Sequence, residues 1–120
     1  MNYYKYRSKA VVYTMTTDPQ TKPTKVGFST NIPKRVKAAQ TYHHKEILTP
    51  YIFKCKNRYR AKWLEKLVHR DMDYMRIRGE WFDCNAATAI RIIKEVADRY
   101  KEMSCEEIKN DLKTALKCGE

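Results

Sequence analysis

Two β-rich segments that follow each other closely constrain the fold of this chain more than any other feature. Residues 10–17 (AVVYTMTT) are rich in β-branched residues, and residues 24–29 (TKVGFS) form a second strand-like run. The loop markers Asp18, Pro19 and Pro23 lie between them. A parallel crossover needs about a dozen residues or more, so the two segments are expected to pair as an antiparallel hairpin.

A short helix and a third strand are predicted after the hairpin. Residues 29–41 (STNIPKRVKAAQT) predict the helix, and three consecutive residues can cap its start: Ser29, Thr30 or Asn31. Residues 46–55 (EILTPYIFKC) predict the strand. Pro50 cannot donate a ladder hydrogen bond, which indicates an edge strand or a bulge.

The longest early helix is predicted over residues 57–75, with Asn57 as its N-cap. Five apolar residues recur at helical spacing and form one stripe: Ala61, Leu64, Val68, Met72 and Met75. Glu65 lies about 80° from the centre of that stripe, and His69 lies one turn further along the same side. Both side chains are therefore expected at the shoulder of the buried face.

Two more helices are predicted towards the C-terminus. Asn85 can cap a helix over residues 86–101. Ser104 and Glu107 form an S-x-x-E capping box for a last helix over residues 105–117. Gly119 lies just past its end, where glycine is typical.

The predicted architecture is an α+β fold in the order β-β-α-β-α-(β)-α-α, with a three-stranded mixed or antiparallel sheet flanked by helices. The optional strand corresponds to the run after Gly79. A single domain is expected over residues 10–101, preceded by a basic aromatic arm (1–9) and followed by a C-terminal helix (102–120) packed on the same domain. The arm can contact phosphates or bases, or it can simply lead into the first strand.

The positive charge is segregated along the chain. The net charge is +11, and residues 1–60 carry 13 Lys and Arg against two acids, whereas residues 61–120 carry 12 of each. Such a field attracts polyanions, with nucleic acid as the first candidate partner and an anionic membrane surface as the second. A basic surface that serves only solubility does not require the charge to be segregated. We therefore rank that explanation below nucleic-acid binding.

The cysteines and the hydropathy indicate a reduced, intracellular protein. Cys55, Cys84, Cys105 and Cys118 form no CxxC pair and have no zinc-like spacing to histidine. The N-terminus has no apolar signal region, and no run reaches the roughly 20 apolar residues of a membrane span. We therefore expect a cytoplasmic protein with no membrane partner.

Several segments together resemble a known nuclease superfamily. Val11-Val12-Tyr13 followed by Lys25-Val26-Gly27 resembles the paired GIY and YIG motifs. Further along are KR at 34–35, LEKLVH at 64–69 and GEWF at 79–82. With KVGFS at 25–29, these resemble the T5orf172 or meiotically-upregulated-gene-113 branch of the GIY-YIG endonuclease superfamily over residues 10–96. The departures are the missing glycine and isoleucine of GIY, and Lys25 in place of the YIG tyrosine.

The resemblance implies four catalytic residues: Tyr13, Lys25, Arg35 and Glu65. It places one divalent ion, Mg²⁺ or Mn²⁺, on Glu65, whose carboxylate is a hard ligand suited to such ions. Arg35 is implied to hold a non-bridging phosphate oxygen with its planar fork. From the residues alone, Glu65 can equally pair with Lys62 or His69 on a helix surface, and Arg35 can contribute general basic attraction.

Tyr13 is implied to act as the base or to position the attacking water. A free phenol has a pKa of about 10, so a base at neutral pH needs a nearby cation. Lys25, on the facing strand, can supply that cation or contact the phosphate. Cross-strand packing is the alternative reading of Tyr13.

Other polar residues have weaker claims to the site. His43 and His44 follow the first helix, and although some members of the superfamily use a histidine close to the site, surface loop positions are favoured for both. His69 matches the branch pattern, with a hydrogen bond to the sheet as the alternative, and Asn85 can be a late site residue or a plain N-cap. Trp81 and Phe82 are expected in the core. Four basic residues are expected to bind nucleic acid: Lys34, Lys37, Arg58 and Arg60.

Two classes of function follow from this sequence. The first is a metal-dependent endonuclease acting on nucleic acid, with DNA favoured over RNA. The second is a catalytically weak or inactive module of the same fold, from a phage or mobile element, that binds nucleic acid or a protein partner. A homodimer is a further open alternative, because few residues follow the matched region to read sequence.

Overall fold

The computed structural model describes residues 9–117, and of residues 115–117 it describes the backbone alone. The predicted arm, apart from Lys9, lies outside the described residues, as do Gly119 and Cys118. The fold is accordingly built from the hairpin predicted over residues 10–29 onwards.

Five strands and four helices make up the described part of the chain. The strands are β1 (Val11–Thr16), β2 (Thr24–Ser29), β3 (Leu48–Lys54), β4 (Arg76–Arg78) and β5 (Trp81–Phe82). The helices are α1 (Ile32–Gln40), α2 (Arg58–Met72), α3 (Ala86–Arg99) and α4 (Cys105–Lys117). A short 3-10 turn, Asp73–Met75, follows α2. The α+β class predicted from the sequence is confirmed.

The strands form one sheet in the order β3-β1-β2-β5-β4, and every pairing in it is antiparallel. The predicted hairpin is the β1–β2 pair, in which Tyr13 lies opposite Gly27. β3 pairs only with β1 among the described strands, and the ladder shifts register between Thr14 and Thr16. Pro50 therefore sits on an edge strand beside an irregularity, as predicted.

The prediction of three strands was wrong, as was the alternative of a mixed sheet. The additional strands, β4 and β5, are three and two residues long and flank a turn at Gly79. Gly79 has φ of 56°, the left-handed conformation that glycine adopts without strain. The optional strand predicted after Gly79 corresponds to β5, whereas β4 was not predicted. Strands this short contain too few residues to display a two-residue period.

The sheet buries different residues on its two faces. The larger core lies on the face of Val12 and Val26, where α2, α3 and α4 pack. The smaller core lies on the other face, where Tyr13, Met15 and Ile47 pack against α1. Side chains directly opposite on paired strands share a face, so Lys25 and Gly27 belong to the α1 side.

Asparagine caps start three of the helices where the sequence predicts them. The side chains of Asn31, Asn57 and Asn85 each accept a hydrogen bond from the backbone amide three residues later. Ser104 and Glu107 form the predicted capping box at the start of α4. Because these caps depend only on local sequence, the helix starts were predictable to within a few residues.

The terminal helix α4 packs on α2. Ile108 and Leu112 are buried in the larger core, and the Trp63 indole donates a hydrogen bond to Asp111. Cys55, Cys84 and Cys105, the cysteines within the described residues, are all free. None of the helices in this part of the chain is both long enough and apolar enough to cross a membrane.

Candidate active site

The candidate site lies at the edge of β2, where the pairing with β5 ends and α2 packs against the strand. β5 pairs with β2 at Thr24 and Lys25, and the Val26 amide still bonds to Glu80, so among the described residues the edge of β2 has no partner strand beyond that amide. Glu65 and His69, one turn apart on α2, point at this open edge. Both side chains lie at the side of the apolar stripe of α2, and because that stripe packs on the sheet, they reach the edge of β2.

Glu65 and His69 each contact a backbone group of β2. The amide of Phe28 donates a hydrogen bond to the Glu65 carboxylate. The His69 Nε2 atom lies 2.7 Å from the carbonyl oxygen of Val26. Unpaired groups of a buried strand edge are costly, so these contacts stabilise the fold as well as orienting the two side chains.

Glu80 enters the same place from the β4–β5 turn, and sequence reasoning missed it as a site residue. Its carbonyl oxygen accepts a hydrogen bond of 3.0 Å from the Val26 amide. Its Oε1 atom lies 3.7 Å from Lys25 Nζ. The signal was present in the GEWF segment, but its meaning depends on the pairing of β5 with β2, which local patterns do not reveal.

Tyr13 and Gly27 form the floor of the site. A Cβ atom on Gly27 would lie 2.7 Å from the Tyr13 hydroxyl oxygen and 3.2 Å from Glu80 Oε1. A Cβ atom essentially never lies this close to a non-bonded atom, so the residue opposite Tyr13 has to be glycine for this packing. The glycine of the KVG segment thus makes room for a phenol and a carboxylate.

The Glu65 carboxyl is perturbed by its surroundings. Burial, as the largest cause, and the neighbouring Glu80 carboxyl together raise the pKa of Glu65 to about 7. The hydrogen bond from Phe28 opposes this rise in the pKa. A pair of close carboxyl groups holds a proton readily, and a divalent cation can take that proton's place.

Tyr13 keeps its proton in this environment. Burial, followed by the charge of Glu80, raises the pKa of the Tyr13 phenol to about 12, while Arg35 lowers it. The side chain is 0% exposed. A protonated, buried phenol can donate a hydrogen bond, which favours positioning over the alternative of proton abstraction at neutral pH.

His69 is held in its neutral form. Burial is the main cause that lowers the pKa of His69, whereas the hydrogen bond to Val26 opposes that change. The ring also packs 5.2 Å, between centroids, from the buried ring of Phe82. The predicted core position of Phe82 is confirmed by its complete burial, whereas Trp81 is only half-buried.

Arg35 lies on exposed α1 beside a basic groove that leads away from the site. The charge of Arg35 acts on the Tyr13 phenol, which places the guanidinium near that residue. The groove runs between the start of α1 and the start of α2, and its basic wall is formed by Lys34, Arg35 and Arg58. Three of the predicted basic residues are therefore neighbours in space although α1 and α2 are separated in sequence.

The remaining predicted residues are placed differently. Lys37 is exposed on α1, outside the groove lining. The Arg60 guanidinium donates hydrogen bonds to the carbonyl oxygens of Met103 and Lys101, at the junction of α3 and α4. Asn85 caps α3 with a bond of 3.0 Å from Thr88, which is the simpler of its two predicted roles.

The two histidines after α1 differ from each other. His43 lies with its ring 6.0 Å from that of Trp81, between centroids, and Trp81 is opposite Lys25 in the β2–β5 pair. His43 is therefore beside the site face. His44 is exposed on the loop.

The donor set fits a divalent cation. Among the described residues, Glu65, His69 and Glu80 each offer a ligand atom, and these atoms lie within 4.8 Å of one another. Carboxylate oxygens suit Mg²⁺ and Mn²⁺, and a neutral imidazole is the form of histidine that ligates metals. Of the residues predicted from the sequence, Glu65 belongs to this cluster, Lys25 pairs with Glu80, and the charges of Arg35, Glu65 and Glu80 all act on Tyr13.

One protein-family comparison matches most of the chain. The model of the family described as the T5orf172 domain matches residues 10–97. No curated protein and no solved structure matches the chain. The matched span contains β1 to α3 and all the residues of the cluster.

Proposed function

The chain belongs to the T5orf172 domain family, a GIY-YIG-related group of endonuclease-like domains, and from that premise we propose that it is a metal-dependent endonuclease. Its reaction is hydrolysis of phosphodiester bonds in nucleic acid, with DNA as the favoured substrate. Water adds to phosphorus, the bond to the leaving oxygen breaks, and the net reaction moves one proton from water to that oxygen.

The observation that carries this proposal is the meeting of Glu65 with Tyr13, Lys25 and Arg35. They come from three separate elements (β1–β2, α1 and α2), and no packing requirement calls for two cations, a phenol and a carboxylate at one point. Phosphodiester hydrolysis does call for them, because negative charge develops on the phosphate as water attacks.

Glu65 is the residue that would hold one divalent ion, Mg²⁺ or Mn²⁺. When bound, such an ion supplies Lewis-acid stabilisation of the phosphate and lowers the pKa of its water. The carboxylate is prepared for this role by the Phe28 amide, which fixes its orientation. The fit of the site to a cation is supported by the close donor set.

Arg35 and Lys25 supply the positive charge of the protein itself. The Arg35 guanidinium is exposed and free to bind two oxygens of one phosphate. Lys25 is half-buried on β2, on the same face of the sheet as Tyr13. Tyr13 retains its proton and acts by positioning these groups and the water that they contact.

The basic groove offers a path for the nucleic-acid backbone. Lys34 and Arg58 line it together with Arg35, so phosphates on either side of the scissile one can lie along the groove. Contacts to phosphates carry little sequence information. The proposal therefore includes salt-sensitive binding with weak sequence preference.

A supercoiled-plasmid assay tests this function. The parent should nick or linearise the plasmid with Mg²⁺ or Mn²⁺ and should not do so in EDTA. Glu65→Gln keeps an oxygen for the Phe28 amide but removes the ligand charge, so it should be inactive. Glu46→Gln removes an exposed glutamate outside the site and should cut like the parent.

A nucleic-acid-binding module without cleavage is the second candidate. The complete burial of Tyr13 and the engagement of Lys25 with Glu80 favour it, because both groups would have to contact reacting atoms in a nuclease of this type. In this case the plasmid would be retarded on a gel but remain uncut with either metal ion.

A further inference from the structure

We propose that His69 and Glu80 join Glu65 as direct ligands, making one three-donor site that selects a first-row transition metal such as Mn²⁺ over Mg²⁺. This inference rests on the proposed function, since it concerns the cation of the same site. It adds two ligands and a metal preference that neither the motifs nor the family match assigns.

The spacing of the three donors suits a single ion. Two ligands bound at about 2.1 Å to an octahedral ion lie about 3 Å apart when adjacent and about 4 Å apart when opposite. The donor atoms of Glu65, His69 and Glu80 lie within 4.8 Å of one another. Side-chain movements on the order of 1 Å, smaller than a change of rotamer, bring them to ligand distances.

His69 has the hydrogen-bond partner typical of a metal-binding histidine. A backbone carbonyl can only accept, so the 2.7 Å contact with Val26 places the proton on Nε2. The neutral ring then presents a lone pair on Nδ1. A ligating histidine usually donates its other N–H to a carbonyl or carboxylate in this way, which fixes its tautomer and its orientation.

Glu80 is anchored through its backbone, and its carboxyl group forms an ion pair with Lys25 and a hydrogen bond with Glu65, one of the proposed ligands. The hydrogen bond from the Val26 amide fixes the turn. The 3.7 Å separation from Lys25 Nζ is longer than a hydrogen bond, and the Glu80 side chain is 39% exposed. Its oxygens can therefore turn to a cation, which would also relieve the repulsion from Glu65.

The mixture of donors determines the expected selectivity. Mg²⁺ favours oxygen ligands alone and retains most of its waters. Imidazole binds the later first-row ions better, and affinity within that row rises beyond Mn²⁺. A site with one imidazole and two carboxylates should thus have a much higher affinity for Mn²⁺ than for Mg²⁺. A lone carboxylate would discriminate little between the two ions.

The competing explanation is that His69 and Glu65 serve only to close the edge of β2. His69→Gln separates the two roles, because the amide nitrogen of glutamine can still donate to Val26 while the imidazole lone pair is lost. Glu80→Gln likewise keeps the shape and the backbone bond. These two substitutions should preserve the fold and lower the affinity for the metal ion.

The experiment is isothermal titration of the full chain with Mn²⁺ and with Mg²⁺ in the absence of nucleic acid. The parent should bind Mn²⁺ at one site at least about tenfold more tightly than Mg²⁺. His69→Gln and Glu80→Gln should each weaken Mn²⁺ binding by at least about tenfold. Glu46→Gln is the control and should bind like the parent.

The failures are distinguishable. If only Glu65→Gln weakens Mn²⁺ binding, the ion is held by one protein ligand, which overturns this inference but leaves the nuclease proposal standing. Binding that is unaltered in Glu65→Gln as well would remove the cation from this site altogether. Absence of measurable Mn²⁺ binding to the parent also overturns a preformed three-donor site. Glu80→Asp, which keeps the charge and shortens the reach, replaces Glu80→Gln if that variant does not fold.

Discussion

Gly27 lies directly opposite Tyr13 in the β1–β2 ladder, and a Cβ atom at Gly27 would lie 2.7 Å from the Tyr13 hydroxyl oxygen and 2.9 Å from its ring carbon Cζ. Both residues are buried, so neither can move aside into solvent. The packing of the β1–β2 pair at this point therefore requires a residue without a Cβ atom. This relationship links the stability of the sheet to the geometry of the site.

Gly27→Ala should therefore destabilise the protein. Elsewhere in a chain, glycine to alanine often stabilises by restricting the unfolded state, but overpacking of a buried site costs about 1–3 kcal/mol. Urea unfolding of the variant and the parent measures the difference. Adding Tyr13→Phe removes the nearer of the two clashing atoms and should recover part of the loss. A variant that unfolds at the parent's urea concentration would contradict the packing described.

The pair of carboxyl groups predicts an unusual dependence of stability on pH in EDTA. The folded pKa of Glu65, about 7, lies above its ordinary value of 4.5, so between these values the folded state binds more protons than the unfolded state. The contribution of Glu65 to the free energy of unfolding is complete when the pH is below 4.5, and it is lost as the pH rises through about 7. Because Glu65 is only half-buried and solvent screens part of the effect, we expect a loss of about 1–3 kcal/mol.

The comparison of the parent with Glu65→Gln isolates this effect. Urea unfolding in EDTA at about pH 5 and about pH 8 should show the parent losing stability relative to the variant as the pH rises. A parent that gains stability relative to Glu65→Gln over this range would show that the carboxylate is favoured, not disfavoured, by its surroundings.

Tyr13 should remain protonated at a pH that ionises exposed tyrosines. Its pKa is raised to about 12 by burial and by Glu80, so tyrosinate absorbance at about pH 10 should come from other tyrosines. The ultraviolet spectra of the parent and of Tyr13→Phe should then show equal tyrosinate signals at that pH. A smaller tyrosinate signal in Tyr13→Phe would support the alternative role as a base.

Arg58 and Arg60 should behave differently in spite of their closeness in sequence. Arg58 lines the groove and is exposed, so Arg58→Gln should weaken DNA binding and reduce the salt-dependence slope by about one. Arg60 is bound to the carbonyl oxygens of Lys101 and Met103, so Arg60→Gln should mainly lower stability. Fluorescence anisotropy at several salt concentrations, alongside thermal unfolding, tests both. A steeper loss of binding in Arg60→Gln would reverse the assignment.

Local patterns predicted most of the helices and the central hairpin. The caps Asn31, Asn57 and Asn85 use backbone amides three residues away, and the β1–β2 connection is short, so these features depend on neighbouring sequence. The position of Glu65 on the shoulder of α2 also followed from helical spacing. The part of the fold that local sequence determines was therefore accessible.

What the sequence did not reveal depends on contacts between distant segments. β4 and β5 are too short to carry a pattern, and their place in the sheet is decided by pairing with Thr24 and Lys25. Glu80 becomes part of the site only through that pairing. The partner of His69 is likewise a backbone carbonyl 43 residues away, which no spacing rule identifies.

We propose above all that phosphodiester hydrolysis depends on the Glu65 carboxylate, which would hold the divalent ion. The most direct measurement follows binding and cleavage of one end-labelled DNA duplex by the parent and by Glu65→Gln, with Mn²⁺ present and both proteins shown to be folded. We predict that both proteins bind the duplex with similar salt sensitivity and that only the parent cuts it. Cleavage by Glu65→Gln at the parent's rate would contradict the assignment of this site.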